Sequence, residues 1–188
     1  MTSRRKKKRT RPPGGSTQCG RRKRRKDGCG GNGDPGELNS LSRIVNHYIR
    51  RWQKPAEEEL RHFSSQPTLE KAIELAALAR GPNGEKLFHQ WRIPVSVLKK
   101  SHQCLSAAIQ EIRSARPFEE LHELILKKIG SIDGIGELAV YDTALRIGAK
   151  LRLEPSEVFL HAGVRDGARN LGLDVSKETI RMCELPPP

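Results

Sequence analysis

Apolar residues recur at helical spacing along most of this chain, most clearly between Pro117 and Lys150. Phe118, Leu121, Ile125 and Ile129 fall on one face of a helix. Pro117 suits its first turn, and Glu119, Glu120 and Glu123 follow where the helix dipole favours acids. Beyond Gly134-Ile135-Gly136 a second helix is predicted, with Leu138, Tyr141, Leu145 and Gly148 on one face, flanked by Ala144, Ile147 and Leu151. The glycines permit positive φ, and Ile135 is expected to point inward as a plug. Such a turn leaves backbone N–H groups at a helix N-terminus facing outward, ready for a phosphate oxygen.

The same pattern extends upstream. Leu38, Leu41, Val45, Tyr48, Ile49 and Trp52 trace an apolar stripe capped by Asn39 or Ser40, with Arg43, Arg50 and Arg51 on the other side. Pro55 opens a short helix with an acidic first turn. Thr68 starts another, with Leu69, Ala72, Ile73, Ala76 and Ala79 inward and Gly81-Pro82 as its stop. The segment from Asn83 to Pro94 is a turn and a short element carrying Leu87, Phe88, Trp91 and Ile93. An exposed Trp91 beside Arg92 would stack a base, but the chain has only 2 Trp and 4 Phe, and Trp91 is expected in the core. Val95 to Ala115 reads as one longer helix burying Leu98, Cys104, Leu105, Ala108, Ile109 and Ile112, with Lys99, Lys100 and Arg113 outside.

After Lys150 the pattern predicts a helix start at Glu154–Glu157, a loop over Gly163–Gly167, and a last short helix from Lys177 to Cys183. No alternating run exceeds about four residues, so the expected fold is all-α. The expected organisation is a disordered basic tail over residues 1–36 and a compact multi-helix domain over 37–185, with the helical hairpin at 117–150.

Charge changes this picture in one respect. The net charge is +13, yet residues 1–34 hold 13 Lys and Arg against 2 Asp, while the rest hold 22 against 20. The attraction for polyanions therefore sits in two blocks, Arg4, Arg5, Lys6, Lys7, Lys8 and Arg9, then Arg21, Arg22, Lys23, Arg24, Arg25 and Lys26. Blocks of like charge among Gly and Pro bury no apolar surface. They read as a non-specific nucleic-acid arm, as a nuclear-import signal if the source has a nucleus, or as a solubilising tail.

The hairpin resembles the helix-hairpin-helix motif of DNA-binding proteins, most closely the type found in the base-excision DNA glycosylase superfamily. Ile132, Asp133, Gly134, Ile135 and Gly136 match that motif, and Val158, His161, Arg169 and Leu171-Gly172-Leu173 match a later one if a short insertion is allowed. The resemblance implies a grip on a DNA backbone. It places the family's catalytic Asp on Phe159 and the lysine nucleophile of its bifunctional members on Leu138, and no four-Cys cluster follows. This implies a binding scaffold without the chemistry. Asp133 and Glu137 flank the turn and oppose a phosphate.

The predicted function is thus non-enzymatic, sequence-nonspecific DNA binding at Gly134, Ile135 and Gly136, assisted by the arm. Lys127 and Lys128 before the turn and Arg146 and Lys150 after it are the predicted phosphate contacts. DNA is favoured over RNA as partner. The alternatives are a divergent base-excision glycosylase, with Asp142 or Asp166 as a displaced carboxylate, and an RNA- or protein-interaction module. Cys19, Cys29, Cys104 and Cys183 form no C-x-x-C pair, so no metal site is expected and no cofactor is implied. Of the six histidines only His161 joins a motif; the others read as surface or core groups. No apolar run is long enough for a membrane span, and the basic start lacks the apolar run of a secretory signal. An intracellular protein with no membrane partner is expected.

Overall fold

The computed structural model describes residues 35–185, with side chains from Leu41 onward. The arm cations, Cys19 and Cys29 lie outside the described residues. What is described is mostly helical, as the periodicity predicts.

Helix α1 (Pro35–Tyr48) runs through a π-helical turn, Ile49–Gln53, into α2 (Lys54–Ser64), and both junction residues keep right-handed helical dihedrals. The predicted start at Asn39 or Ser40 and the fresh start at Pro55 are both replaced by this continuous rod. Proline has no N–H to donate and crowds the carbonyl four residues earlier. The wider π turn just before it accommodates that mismatch. Of the apolar stripe predicted here, Tyr48, Ile49 and Trp52 are exposed and Leu41 and Val45 half-buried.

Helix α3 (Leu69–Ala77) is capped by Thr68, whose Oγ1 accepts the Lys71 N–H at 3.2 Å. All five residues predicted to face inward, Leu69 to Ala79, are buried. Instead of one long helix, α4 (Val95–Ala107) and α5 (Ile109–Ser114) are separated at Ala108, whose backbone (φ −95, ψ 12) leaves the helical region.

Helices α6 (Phe118–Ile129) and α7 (Glu137–Leu151) form the predicted hairpin. Phe118, Leu121, Ile125 and Ile129 are all buried. Helix α7 is the centre of the fold, packed by α2, α3 and α6. With neighbours on three sides it buries Ala139, Val140, Thr143, Ala144, Arg146, Ile147 and Gly148, whereas Leu138, Tyr141 and Leu145 of the predicted stripe are half-buried. At Gly148 a Cβ would lie 3.0 Å from the Leu153 carbonyl oxygen and 3.2 Å from the Phe118 ring. Only a residue without a side chain lets α6 and α7 approach so closely there.

The C-terminal lobe departs from the all-helix expectation. Strand β1 (Glu157–Phe159) pairs antiparallel with β2 (Thr179–Arg181), with Val158 opposite Ile180. Between them α8 (Ala162–Asn170) runs through the glycines predicted to form a loop. Strand β2 and a short 3-10 turn, Met182–Glu184, stand where a last helix from Lys177 to Cys183 was predicted. Leu160, Ala168 and Ile180 make a small cluster of their own.

Candidate functional site

The hairpin turn is built from backbone. Ile132 N–H donates to the Ile129 carbonyl and Ile135 N–H to that of Ile132, while both isoleucines pack half-buried against the main cluster. Gly134 has φ +89 and sits against Val97 of α4, its would-be Cβ 3.6 Å from a Val97 methyl. Gly136, the N-cap of α7, is extended and has no side chain with which to cap the helix. Its carbonyl accepts the Ala139 and Val140 N–H groups, while those of Glu137 and Leu138 meet no acceptor among the described residues. A Cβ on Gly136 would meet nothing within 4 Å. The result is an exposed helix N-terminus with orphan donors, bordered by the exposed acids Asp133 and Glu137.

The four folded cations predicted as phosphate contacts have different fates. Lys127 is exposed. Lys128 meets Glu111 at 2.7 Å. Lys150 donates to the Ser64 carbonyl at 3.4 Å and to that of Gln66. Arg146 is a correction: it is 2 % exposed and reaches no surface. Its Nε donates to Glu59 at 2.8 Å and its Nη1 to the Gln90 side-chain oxygen Oε1 at 3.0 Å, and Nη2 lies 3.5 Å from Asp142. The Gln90 amide in turn donates to Asp142 at 2.6 Å. A buried guanidinium needs this full set of acceptors. Burial raises the Asp142 carboxyl above its ordinary value, aided by Glu59 and opposed by Arg146, His89 and Gln90. Asp142 therefore ties α7 to the 88–90 turn while Arg146 ties it to α2, and Asp166 is exposed and paired with Arg169 at 2.6 Å.

Trp91 is a second correction. It is 56 % exposed, with the Arg92 guanidinium 5.6 Å from its ring centre, and nearby Phe88 is 79 % exposed. Lys86 holds this segment by donating to the Trp91 and Ile93 carbonyls, which leaves the ring on the outside. Lys100 stands one turn beyond Val97 on α4 and is exposed.

A cleft of about 460 Å³ opens where α6 and α7 meet the C-terminal lobe. His122, Tyr141, Phe159 and His161 line it. The His122 and Phe159 rings are 4.3 Å apart, Tyr141 and Phe159 5.5 Å, and Tyr141 and His161 5.7 Å. Five glutamates also line it: Glu119, Glu123, Glu137, Glu157 and Glu178. Sequence reasoning singled out His161 and Phe159 but passed over the rest. A signal was present: Glu119, His122, Glu123 and Leu126 occupy successive helical-face positions of α6, beside the buried stripe.

Comparison with protein-family models, curated proteins and solved structures finds no match. The likeness to the helix-hairpin-helix type rests on the sequence alone, at the turn and at the later positions named for it.

Proposed function

We propose that this protein binds nucleic acid, DNA above all, without reading its sequence. The polybasic arm supplies most of the affinity, and the turn between α6 and α7 holds one backbone phosphate. The observation that carries the second part is the uncapped α7 N-terminus, with the free N–H groups of Glu137 and Leu138 and open space at Gly136. Lys127 and Lys100 are exposed cations on the flanking helices, and Trp91 with Arg92 offers a face on which a base stacks. Asp133 and Glu137 keep the contribution of the turn small, so the arm dominates and binding weakens steeply with salt. No base-excision chemistry is part of this reading: Phe159, where the resemblance places the catalytic acid, packs edge-on to Phe118 at 5.8 Å.

Gly136→Asp in the full-length chain tests the role of the turn. An aspartate fits the extended N-cap backbone and accepts the free N–H groups itself, so α7 is stabilised by a few tenths of a kcal/mol while a phosphate is displaced. Duplex affinity measured by fluorescence anisotropy at two salt concentrations should fall roughly tenfold at unchanged helical circular dichroism. Unchanged affinity would remove the turn from the interface. Replacing the cations of the two arm blocks by Gln should flatten the salt dependence; an unchanged slope would remove the arm.

A further inference from the structure

The cleft beside α6 and α7 has no part in the reading above, and its chemistry is the reverse of a phosphate site. None of its five glutamates lies within ion-pair distance of a lysine or arginine among the described residues. Glu119 is satisfied by the Ser156 N–H and hydroxyl, and Glu157 accepts the Thr179 hydroxyl. Glu123, Glu137 and Glu178 are exposed at the rim. One cation, Arg165, stands on the wall, and its guanidinium is turned to the backbone, donating to the carbonyls of Leu160, Val175 and Lys177. The field in the cleft is therefore negative.

Its interior is aromatic and apolar, made by His122, Tyr141 and Phe159 with Leu126 and Val140 beside them. Ring faces attract cations through their quadrupole, most strongly where water is excluded. An anion would face the whole set of carboxylates. Among the described residues no group of three or more His, Cys, Asp or Glu side chains converges as a metal ion needs. A ligand that satisfies both the aromatic interior and the acidic rim has a diffuse positive head and an apolar stem.

We propose that this cleft binds an organic cation, an ammonium or guanidinium group on an apolar chain, with its head between the rings of His122, Tyr141 and Phe159 and the rim carboxylates of Glu123 and Glu178. The cavity volume is in the range of small-molecule sites. Burial holds the His122 imidazole below its ordinary value against the opposing pull of Glu123 and Glu178, so the ring offers a neutral face near pH 7. Burial, with Asp142 behind it, also keeps the Tyr141 phenol protonated. The same head group is found on a free polyamine and on a basic side chain of a peptide, and the test separates these sources.

Calorimetric titration of the full-length protein uses spermidine in one arm and a short arginine- and lysine-containing peptide in the other. Saturable binding of either probe is expected, with chemical-shift changes at the His122 and His161 rings. The double variant Glu123→Gln/Glu178→Gln, two exposed positions that leave the packing intact, should weaken it about tenfold or more. Tyr141→Leu should weaken it about three- to tenfold, the range of one cation–π contact. Binding of spermidine alone assigns a free amine, and binding of the peptide alone assigns a basic segment. The proposal fails if neither probe saturates in the millimolar range, or if the glutamate variant, still folded by thermal melting, binds as tightly as the wild type. Gly136→Asp places one more carboxylate beside Glu137 of the rim, so it should not weaken this titration while duplex binding falls, which keeps the cleft and the turn separable.

Discussion

In the helical cluster, sixteen buried apolar residues drawn from α2 to α7 close on one another, whereas in the C-terminal lobe only Leu160, Ala168 and Ile180 are buried with their apolar neighbours around them. The first region is held by burial: each large side chain removed from water is worth roughly 1.5–3 kcal/mol. The second has too little apolar surface for that. It is held by directional bonds, chiefly one guanidinium, Arg165, that reaches three carbonyls from two segments, at 2.6 Å to Leu160, 2.7 Å to Val175 and 3.1 Å to Lys177. The contrast teaches that an arginine does in the lobe what a leucine layer does in the core. The cleft takes one wall from the densely packed region and the other from the thinly packed one.

Three measurements bear on this comparison. The largest effect is expected in the core: Phe118→Ala removes a ring that touches Tyr141, Phe159 and Gly148, and should cost about 3–5 kcal/mol of global stability in denaturant unfolding. A loss below about 1 kcal/mol would mean that the cluster collapses freely around the space. Next comes Arg165→Ala, where charge-assisted hydrogen bonds worth about 1.5–3 kcal/mol are removed. Amide-exchange protection over residues 157–181 should drop tenfold or more while α3 and α6 stay protected. Equal loss in both regions would erase the distinction between them.

The smallest effect is a pH dependence. The Asp142 carboxyl is raised by burial, so the folded state holds its proton more tightly than the unfolded chain does. Its contribution to stability is present in full below the ordinary aspartate value and is lost as pH rises through the raised one. The difference between wild type and Asp142→Asn in thermal unfolding should therefore decline with rising pH across that window. Parallel curves would show that the carboxylate is as comfortable in the fold as in water.

Much of the core was legible because it is written locally. The stripes of α3 and α6 repeat at helical spacing, and Thr68 announces a cap. Arg146 was not legible, because a single charged letter in a helix looks like surface, and its partners Glu59 and Gln90 stand 87 and 56 positions away. Strands β1 and β2 are three residues each, too short for any alternation to register. Helix α8 contains two interior glycines that argue locally for a loop, and the tertiary ties of Arg165 override them. The break at Ala108 hides behind the best helix-forming residue of all. The scarcity of aromatic residues in this chain argues for Trp91 in the core, but scarcity says nothing about which side of a short turn a ring will take.

One close contact in the core constrains how this sequence can change. The ring of Phe118 occupies the space where any side chain at position 148 would begin, so the two positions share one volume. Shrinking Phe118 would open a void and would still leave the Leu153 carbonyl oxygen 3.0 Å from a new Cβ at position 148. For a lineage moving by single substitutions, position 148 is therefore pinned from two sides, by a ring that mutation can change and by a backbone oxygen that it cannot.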